Sequence, residues 1–473
     1  MGEIPRLAGI SSVGVLFAAL ALAGCSTVPA YRTPDVALPK AWKAAPSEAM
    51  STSVPVDWWT GFRSQQLDEL VALGLGDGLD VAIARARLEQ ARGLAQIAGA
   101  GRYPTVDAGL SATHGNAAAS GKESSATLQA TVNLDLWGGS GARAQSAEMS
   151  AQASVFDLDT ARQALATNIS NTYFDVLALD ERITLAVRIA DDAQNLLSLV
   201  QTQESLGAAS VLDIQLQRNT VQSFLAAIPP LKLQREAAFG QLAVLVNKMP
   251  EEFALTPQKL LDLGVPDVGA VAPADAVAAR PEVHSAEARL KAANFDVGAA
   301  RAAFLPSVAV TASAGWVLNP TQALWDTTGA LLQPLLEGGR LKGQLKVDRA
   351  HAQELLAAYR LVILQVLQQT ESQMVAVQRL REAEALNRSA VDSASESLRL
   401  SRISFEHGAS DMLTVITNER TLYQAQDTLL QTRLQRLQAA AGLYLAIGGK
   451  VLLPQSEAAA VPPAPTSIPG VSS

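Results

Sequence analysis

Apolar positions along the chain follow two different periods. In one stretch Val106, Ala108, Leu110 and Ala112 alternate with Thr105, Asp107, Gly109 and Ser111. After a polar interval Ala126, Leu128, Ala130, Val132, Leu134 and Leu136 alternate with Ser125, Thr127, Gln129, Thr131, Asn133 and Asp135. Much later Val308, Val310, Ala312, Ala314 and Trp316 alternate with smaller or more polar residues, and a less regular run, Leu324 to Leu332, takes the place of a partner. A period of two with one apolar face predicts half-buried strands, in β-hairpins at about 104–136 and about 305–336. Runs of about ten such residues also fit a tilted transmembrane strand.

The second period is helical. From Ser140 to Leu206 there is no proline and almost no glycine. Leu165, Ile169, Thr172, Val176, Leu179, Ile183, Ala186, Ala190, Ala193, Leu197 and Val200 recur at steps of four and three. That repeat of about 3.5 residues is a left-handed coiled-coil seam, on a helix of roughly 100 Å. A matching stretch, Arg340 to Glu406, has a more polar seam, with Thr370, Gln373, Glu384 and Asn387. That pattern is expected of a helix lining water on one side. Each long stretch ends at a glycine turn, Gly207-Ala208-Ala209 or Gly408-Ala409-Ser410, and returns over Val211–Val246 or Met412–Ile447. Pro229-Pro230 is expected to break or kink the first return.

The chain is one unit written twice at an offset of about 200 residues. Ala84-Arg85-Ala86-Arg87-Leu88 meets Ala286-Glu287-Ala288-Arg289-Leu290, and Tyr103-Pro104-Thr105-Val106 meets Leu305-Pro306-Ser307-Val308. Trp137-Gly138-Gly139 meets Glu337-Gly338-Gly339, and the two glycine turns meet each other. The expected divisions are a signal peptide at 1–24, an N-terminal segment at 25–66 and repeat 1 at 67–250, with its hairpin tip near 207–210. A connector follows at 251–279, then repeat 2 at 280–450 with its tip near 408–411, then a flexible tail at 451–473.

Four amphipathic strands cannot close a barrel in lipid, where unpaired backbone groups are too costly. Single-chain outer-membrane barrels begin at eight strands. The expected fold is therefore α+β: long helical hairpins forming an α-barrel in a trimer, continuous with a shared transmembrane β-barrel to which each chain gives four of twelve strands.

Composition narrows the chemistry. Of 473 residues 17% are charged and 5% aromatic, and the net charge of −8 is spread along the chain. That excludes a nucleic-acid surface, which needs a basic patch. Arg6 and the apolar run Leu7 to Ala23 read as an export signal. It ends in Leu22-Ala23-Gly24-Cys25, which matches the bacterial lipobox and makes Cys25, the single cysteine, the expected lipid-attachment site. Ser26 then favours the outer membrane by resemblance to lipoprotein sorting rules. No later stretch reaches the roughly 20 apolar residues of a spanning helix. His114, His284, His351 and His407 have no metal-ligand spacing. Gly115 to Gly121-Lys122-Glu123 has one residue too many for a phosphate loop, and no Gly-x-Ser-x-Gly elbow is present. The reading is a non-enzyme with no cofactor and no metal.

The ordered set of motifs resembles the outer-membrane factor family, the TolC-type efflux ducts, in its lipoprotein branch. Asp57-Trp58-Trp59 with Phe62 resembles the family's N-terminal segment. Ile228-Pro229-Pro230-Leu231 followed by Leu242 to Val246 resembles the branch's kinked helix end, and Leu443-Tyr444-Leu445-Ala446-Ile447-Gly448-Gly449 its C-terminal signature. The resemblance implies a homotrimer and a passive duct for drugs, small toxic molecules or metal ions. A periplasmic adaptor (membrane fusion) protein recruits it, and a proton-driven inner-membrane pump powers it. It implies that the tips Gly207, Ala208, Ala209, Gly408, Ala409 and Ser410 meet the adaptor. It also implies a periplasmic aperture at Thr414, Thr417 and Asp213, with Thr417 where the family usually has a carboxylate and with Asp411 and Glu419 as nearby acids. A duct for protein secretion, a non-conducting lipoprotein that spans the periplasm, and an exported enzyme on a helical scaffold are the other readings.

Overall fold

The computed structural model describes residues 27–43, 57–113, 123–266, 271–318 and 321–449. The signal segment, Cys25, His114, the Gly115 to Lys122 loop and the C-terminal tail lie outside the described residues.

Both repeats give the same order of elements. Repeat 1 carries α1 (Gln65–Asp77), α2 (Leu79–Ala100), β1 (Thr105–Thr113), β2 (Glu123–Leu134), α3 (Gly139–Ser205) and α4 (Val211–Leu245). After a short α5 (Pro273–Ala278), repeat 2 carries α6 (Pro281–Ala302), β3 (Ser307–Leu318), β4 (Thr321–Leu332), α7 (Arg340–Glu406) and α8 (Met412–Ala446). The matched helices are equal in length. α3 and α7 have 67 residues each, α4 and α8 have 35, and α2 and α6 have 22. No described helix is long and apolar enough to cross a membrane.

The chain divides into two compact units. The first holds residues 1–36, 86–157 and 282–362, and contains the sheet. Its strands run β1-β2-β3-β4, each antiparallel to the next, so the two hairpins join through β2 and β3. β1 and β4 are the edges. Residues 27–36 are tied onto this unit. Thr27 Oγ1 donates to the Trp137 carbonyl at 3.1 Å, and Asn294 Nδ2 donates to the Pro29 carbonyl at 2.8 Å. Val28 lies so close to Gly298 that a Cβ there would come within 2.6 Å of it. The Asp135 carboxylate accepts from the Ser140 and Gly141 amides and so caps α3.

The second unit holds residues 37–85, 158–281 and 363–473. The α3 seam residues from Leu165 to Val200 are buried, with Ile183 partly so. Of these, Leu179, Ala186, Ala190, Ala193 and Leu197 pack against Val221, Phe224, Ile228 and Leu231 of α4. Trp58 and Phe62 anchor the same unit. Trp58 stacks on Tyr444 with ring centroids 5.5 Å apart, and Phe62 meets Phe174 at 4.9 Å.

Two expectations are corrected here. Of the break or kink expected at Pro229-Pro230, the break is absent: α4 runs through both prolines as one helix. The missing N–H groups orphan the carbonyls of Leu225 and Ala226, but both residues are exposed, so water can satisfy them. Ile228 and Leu231, buried on either side, hold the helix to its core. The polar seam of α7 does not line water at two of its named positions, because Thr370 and Glu384 are buried. Thr370 Oγ1 donates to the Ala446 carbonyl at 3.1 Å, and Glu384 takes Arg433 at 3.1 Å and Arg436 at 2.7 Å. Asn387 donates to Thr432 at 2.8 Å. At Glu384 and Asn387 the seam is polar because its partner helix α8 is polar there too.

Candidate functional site

The sheet separates its residues by chemistry. The register aligns Ala108, Leu128, Ala314 and Trp325 in one transverse row, and Leu110, Ala126, Trp316 and Ala323 in the next. Successive strand residues face opposite ways, so these rows form one apolar face. The opposite face carries the rows Thr105, Thr131, Thr311, Thr328 and Asp107, Gln129, Ser313, Asp326. Polar side chains on it bond across strands. Ser111 and Ser125 are 2.7 Å apart, Thr131 and Thr311 are 3.3 Å apart, and Ser313 donates to Asp326. Trp325 is 82% exposed and Leu110 87% in the single chain, as no other described element covers the apolar face. β4 extends to Thr321, and its apolar face is Ala323, Trp325 and Leu331. Leu324 and Leu332 fall on the polar side, which is why the alternation looked irregular.

In the second unit both hairpin tips close in the same way. Gly207 and Gly408 have φ of 75° and 68°. The Gly207 and Ala208 amides donate to the Glu204 and Gln203 carbonyls, and the Gly408 and Ala409 amides to those of Phe405 and Ser404. These are Schellman closures, which need a left-handed residue at that position. Past each glycine the chain re-enters a helix through a side-chain cap. Ser210 and Asp213 form a capping box at the start of α4, and Asp411 accepts from the Thr414 amide at 2.8 Å. Asp213 is thus engaged at the tip rather than free. The Thr414 hydroxyl also donates to Asp411, and Thr417 Oγ1 donates to the Leu413 carbonyl at 2.8 Å. Thr414 and Thr417 are exposed on one face of α8, opposite buried Val415, Ile416 and Glu419. The Asp411 carboxyl is held below the ordinary range, first by the Thr414 hydroxyl and then by its amide.

Glu419 departs from its expected place among the aperture acids. It is 3% exposed, and its Oε1 takes Arg402 Nη2 at 2.8 Å. The tips also carry a feature that the small-residue motifs do not reveal. Leu206, Val211 and Leu212 are 78%, 61% and 66% exposed around Gly207, and Leu413 stands exposed beside Gly408. The two hairpins are joined by the bidentate pair of Arg182 and Asp427, at 2.6 and 3.2 Å. No periodic signal ties those two residues together. Among the described residues no group of three or more His, Cys, Asp or Glu could hold a metal ion. His284 lies against the Phe156 ring, His351 meets Glu354, and the His407 ring bonds the Ile403 carbonyl.

Comparison with known proteins joins these features. The family model described as "Outer membrane efflux protein" matches residues 75–248 and 272–449, one stretch in each repeat. The chain is 32% identical over 459 residues to the pyoverdine export outer membrane protein OpmQ of Pseudomonas aeruginosa, covering 93% of this chain and 97% of that one. It is 28% identical over 469 residues to the toluene efflux pump outer membrane protein TtgC of Pseudomonas putida, covering 93% and 95%. Among solved structures it resembles the open state of the MtrE outer membrane channel of Neisseria gonorrhoeae, with a TM-score of 0.81 at 26% identity, over 90% of this chain and 98% of that one. The chain belongs to the outer membrane efflux protein family and is an outer-membrane channel of an export system.

Proposed function

We propose that three copies of this chain close into one duct, a passive exit for small molecules or metal ions. The observation that carries this reading is the four-stranded sheet with two unpaired edges and one apolar face. Pairing β1 of one copy with β4 of the next removes every edge and turns the apolar face to lipid and the Asp107–Asp326 row to the lumen. The exposed tips, Gly207-Ala208-Ala209 with Leu206, Val211 and Leu212 and Gly408-Ala409-Ser410 with Leu413, suit a docking partner with an apolar end. That partner is a periplasmic adaptor, which couples the duct to a proton-driven inner-membrane pump. The chain itself does no catalysis. The related proteins named for pyoverdine and for toluene share its length, which supports a conduit whose cargo is chosen by the pump. Thr414, Thr417 and Asp213 form the periplasmic aperture.

Cys25 carries the lipid anchor. Thr27, two positions further, donates to the Trp137 carbonyl just past the end of β2. Native mass spectrometry in detergent tests the assembly, with a trimer as the expected mass. A stable monomer with pore activity refutes it. A mature amino terminus without acyl mass at Cys25 refutes the anchor alone.

A further inference from the structure

Within the first unit α3 and α6 pack side by side in opposite directions, and their contacts fall at equal depth below the sheet. Depth counts residues from the helix end nearest the sheet, Gly139 on α3 and Ala302 on α6. At that end a Cβ on Gly139 would come within 2.9 Å of the Ala302 Cβ. Far below it, Ser285 Oγ donates to Asp157 at 2.6 Å and the Phe156 ring meets His284 at 5.2 Å. The repeat gives each of these residues a counterpart, α7 for α3 and α2 for α6. Ser146 and Ala153, on the row of α3 that contains Gly139, are buried, while their counterparts Val347 and Glu354 on α7 are exposed. On α6 Ala292 and Ala299 are buried, whereas their counterparts Gln90 and Ile97 on α2 are exposed, as are Arg87 and Leu94. The faces that meet inside the chain as α3 and α6 are thus bare as α7 and α2. α2 leads into β1 and α7 follows β4, the two edges of the sheet. Closing β1 on β4 of the next copy brings the bare faces together.

We propose that α7 of one copy packs on α2 of the next as α3 packs on α6, with Glu354 and Arg87 forming an ion pair between copies. Counted from Arg340 on α7 and from Ala100 on α2, Val347 falls opposite Leu94 and Glu354 opposite Arg87, each within one residue, about 1.5 Å of rise. The arginine is repeated in the chain. Its counterpart Arg289 already crosses from α6 to α3, where it donates to Asp157 at 2.5 Å. The acid is not repeated, since the counterpart of Glu354 is Ala153 and that of Asp157 is Ala358. Each seam therefore carries its own acid at its own depth. Within its own chain the Glu354 carboxylate meets His351, one turn away, at 3.3 Å. Along that row of α7 the neighbours of Glu354 are Ala350 and Ala357. A slip of one turn between copies would carry Arg87 to an alanine. A charged crossing in an otherwise apolar helix seam sets register, and here it sets the height at which one copy meets the next.

The proposal rests on the trimeric reading. Full-length protein in detergent tests it, with the mass of the wild-type assembly as the control for the trimer itself. Arg87→Glu and Glu354→Arg each set like charges together at every seam between copies. Each is expected to lower the trimer-to-monomer ratio in mild denaturant by about fivefold or more. The double variant, with both charges reversed, is expected to recover most of that loss, which a merely structural role for either residue would not give. Losses without recovery, or no loss in either single variant, overturn the pair. A second readout does not need those charges. Leu94→Cys combined with Val347→Cys should give covalent trimers with a short bismaleimide, and neither cysteine alone should do so. No such product from a trimeric double-cysteine variant overturns the seam while leaving the trimer in place. A monomeric wild type refutes the trimer and the seam with it.

Discussion

Gly448 and Gly207 meet the same backbone demand in different surroundings. Both have positive φ, 78° and 75°. A Cβ at Gly207 meets nothing within 4 Å, whereas one at Gly448 would come within 2.6 Å of the Ala279 Cβ. Gly207→Ala should therefore cost about 1 kcal/mol, from the left-handed backbone alone. Gly448→Ala adds a clash against main chain and should cost at least about twice as much. Chemical unfolding of both variants checks the order. Thr417 gives a sharper functional test. Its hydroxyl is exposed and bonded only within its own helix, so it offers no charge to a passing ion. Thr417→Asp should raise block by multivalent cations from the periplasmic side and increase cation selectivity, because three carboxylates in a narrow pore focus the field. Bilayer recordings check it, and strong block already present in the wild type places the gate elsewhere. The turn glycines were legible in the sequence because positive φ is a property of one residue. The Arg182–Asp427 pair was not, since it joins residues far apart with no shared period.

Among the elements, the strands were the most legible, because alternation along the sequence and alternation of facing in the sheet are the same fact seen twice. The α3 seam was equally plain. The α7 seam was misread, since a polar residue in a seam faces either water or a polar partner, and spacing cannot separate the two. Glu384 shows which applies. It is 5% exposed as a side chain and shared by Arg433 and Arg436, while Arg433 also donates to the carbonyls of Leu261 and Leu263. The network holds the turn at Leu260–Asp262 onto α7 and α8. Glu384→Ala leaves three guanidinium groups, those of Arg388, Arg433 and Arg436, without their carboxylate and should cost about 3–5 kcal/mol. Thermal unfolding measures the loss, and faster proteolysis near Leu261 should accompany it. A loss under about 1 kcal/mol would mean that water replaces the carboxylate. Pro229-Pro230 teaches the converse lesson: proline breaks a helix where the orphaned carbonyls are buried, and here they are not.

For the whole molecule, the two faces of the sheet make unequal demands. Leu128 and Gln129 are neighbours on β2 with opposite facings. Leu128→Arg should cost about 2–4 kcal/mol if it meets lipid near the midplane, and Gln129→Arg should assemble normally. Trimer yield in outer-membrane fractions compares them. Equal losses would deny that the faces differ. The doubling of the chain was legible from its punctuation, but the equal helix lengths emerged only with the structure, because sequence matching leaves boundaries loose. Those lengths work as a ruler. The shift from Gly139 to Arg340 equals that from Val211 to Met412 and from Gly207 to Gly408, so each arm of one hairpin has a twin of the same count in the other. Seven residues added to both arms of the first hairpin carry its tip about 10 Å past the second. The Arg182–Asp427 pair and the apolar cluster that Leu196 and Val200 form with Leu398, Met412 and Ile416 would then have no matching level. Size can change in this protein only as a matched set of four helices: heptads inserted in α3 and α4 alone should abolish export, while the same insertion in α3, α4, α7 and α8 should leave folded trimers with a longer reach.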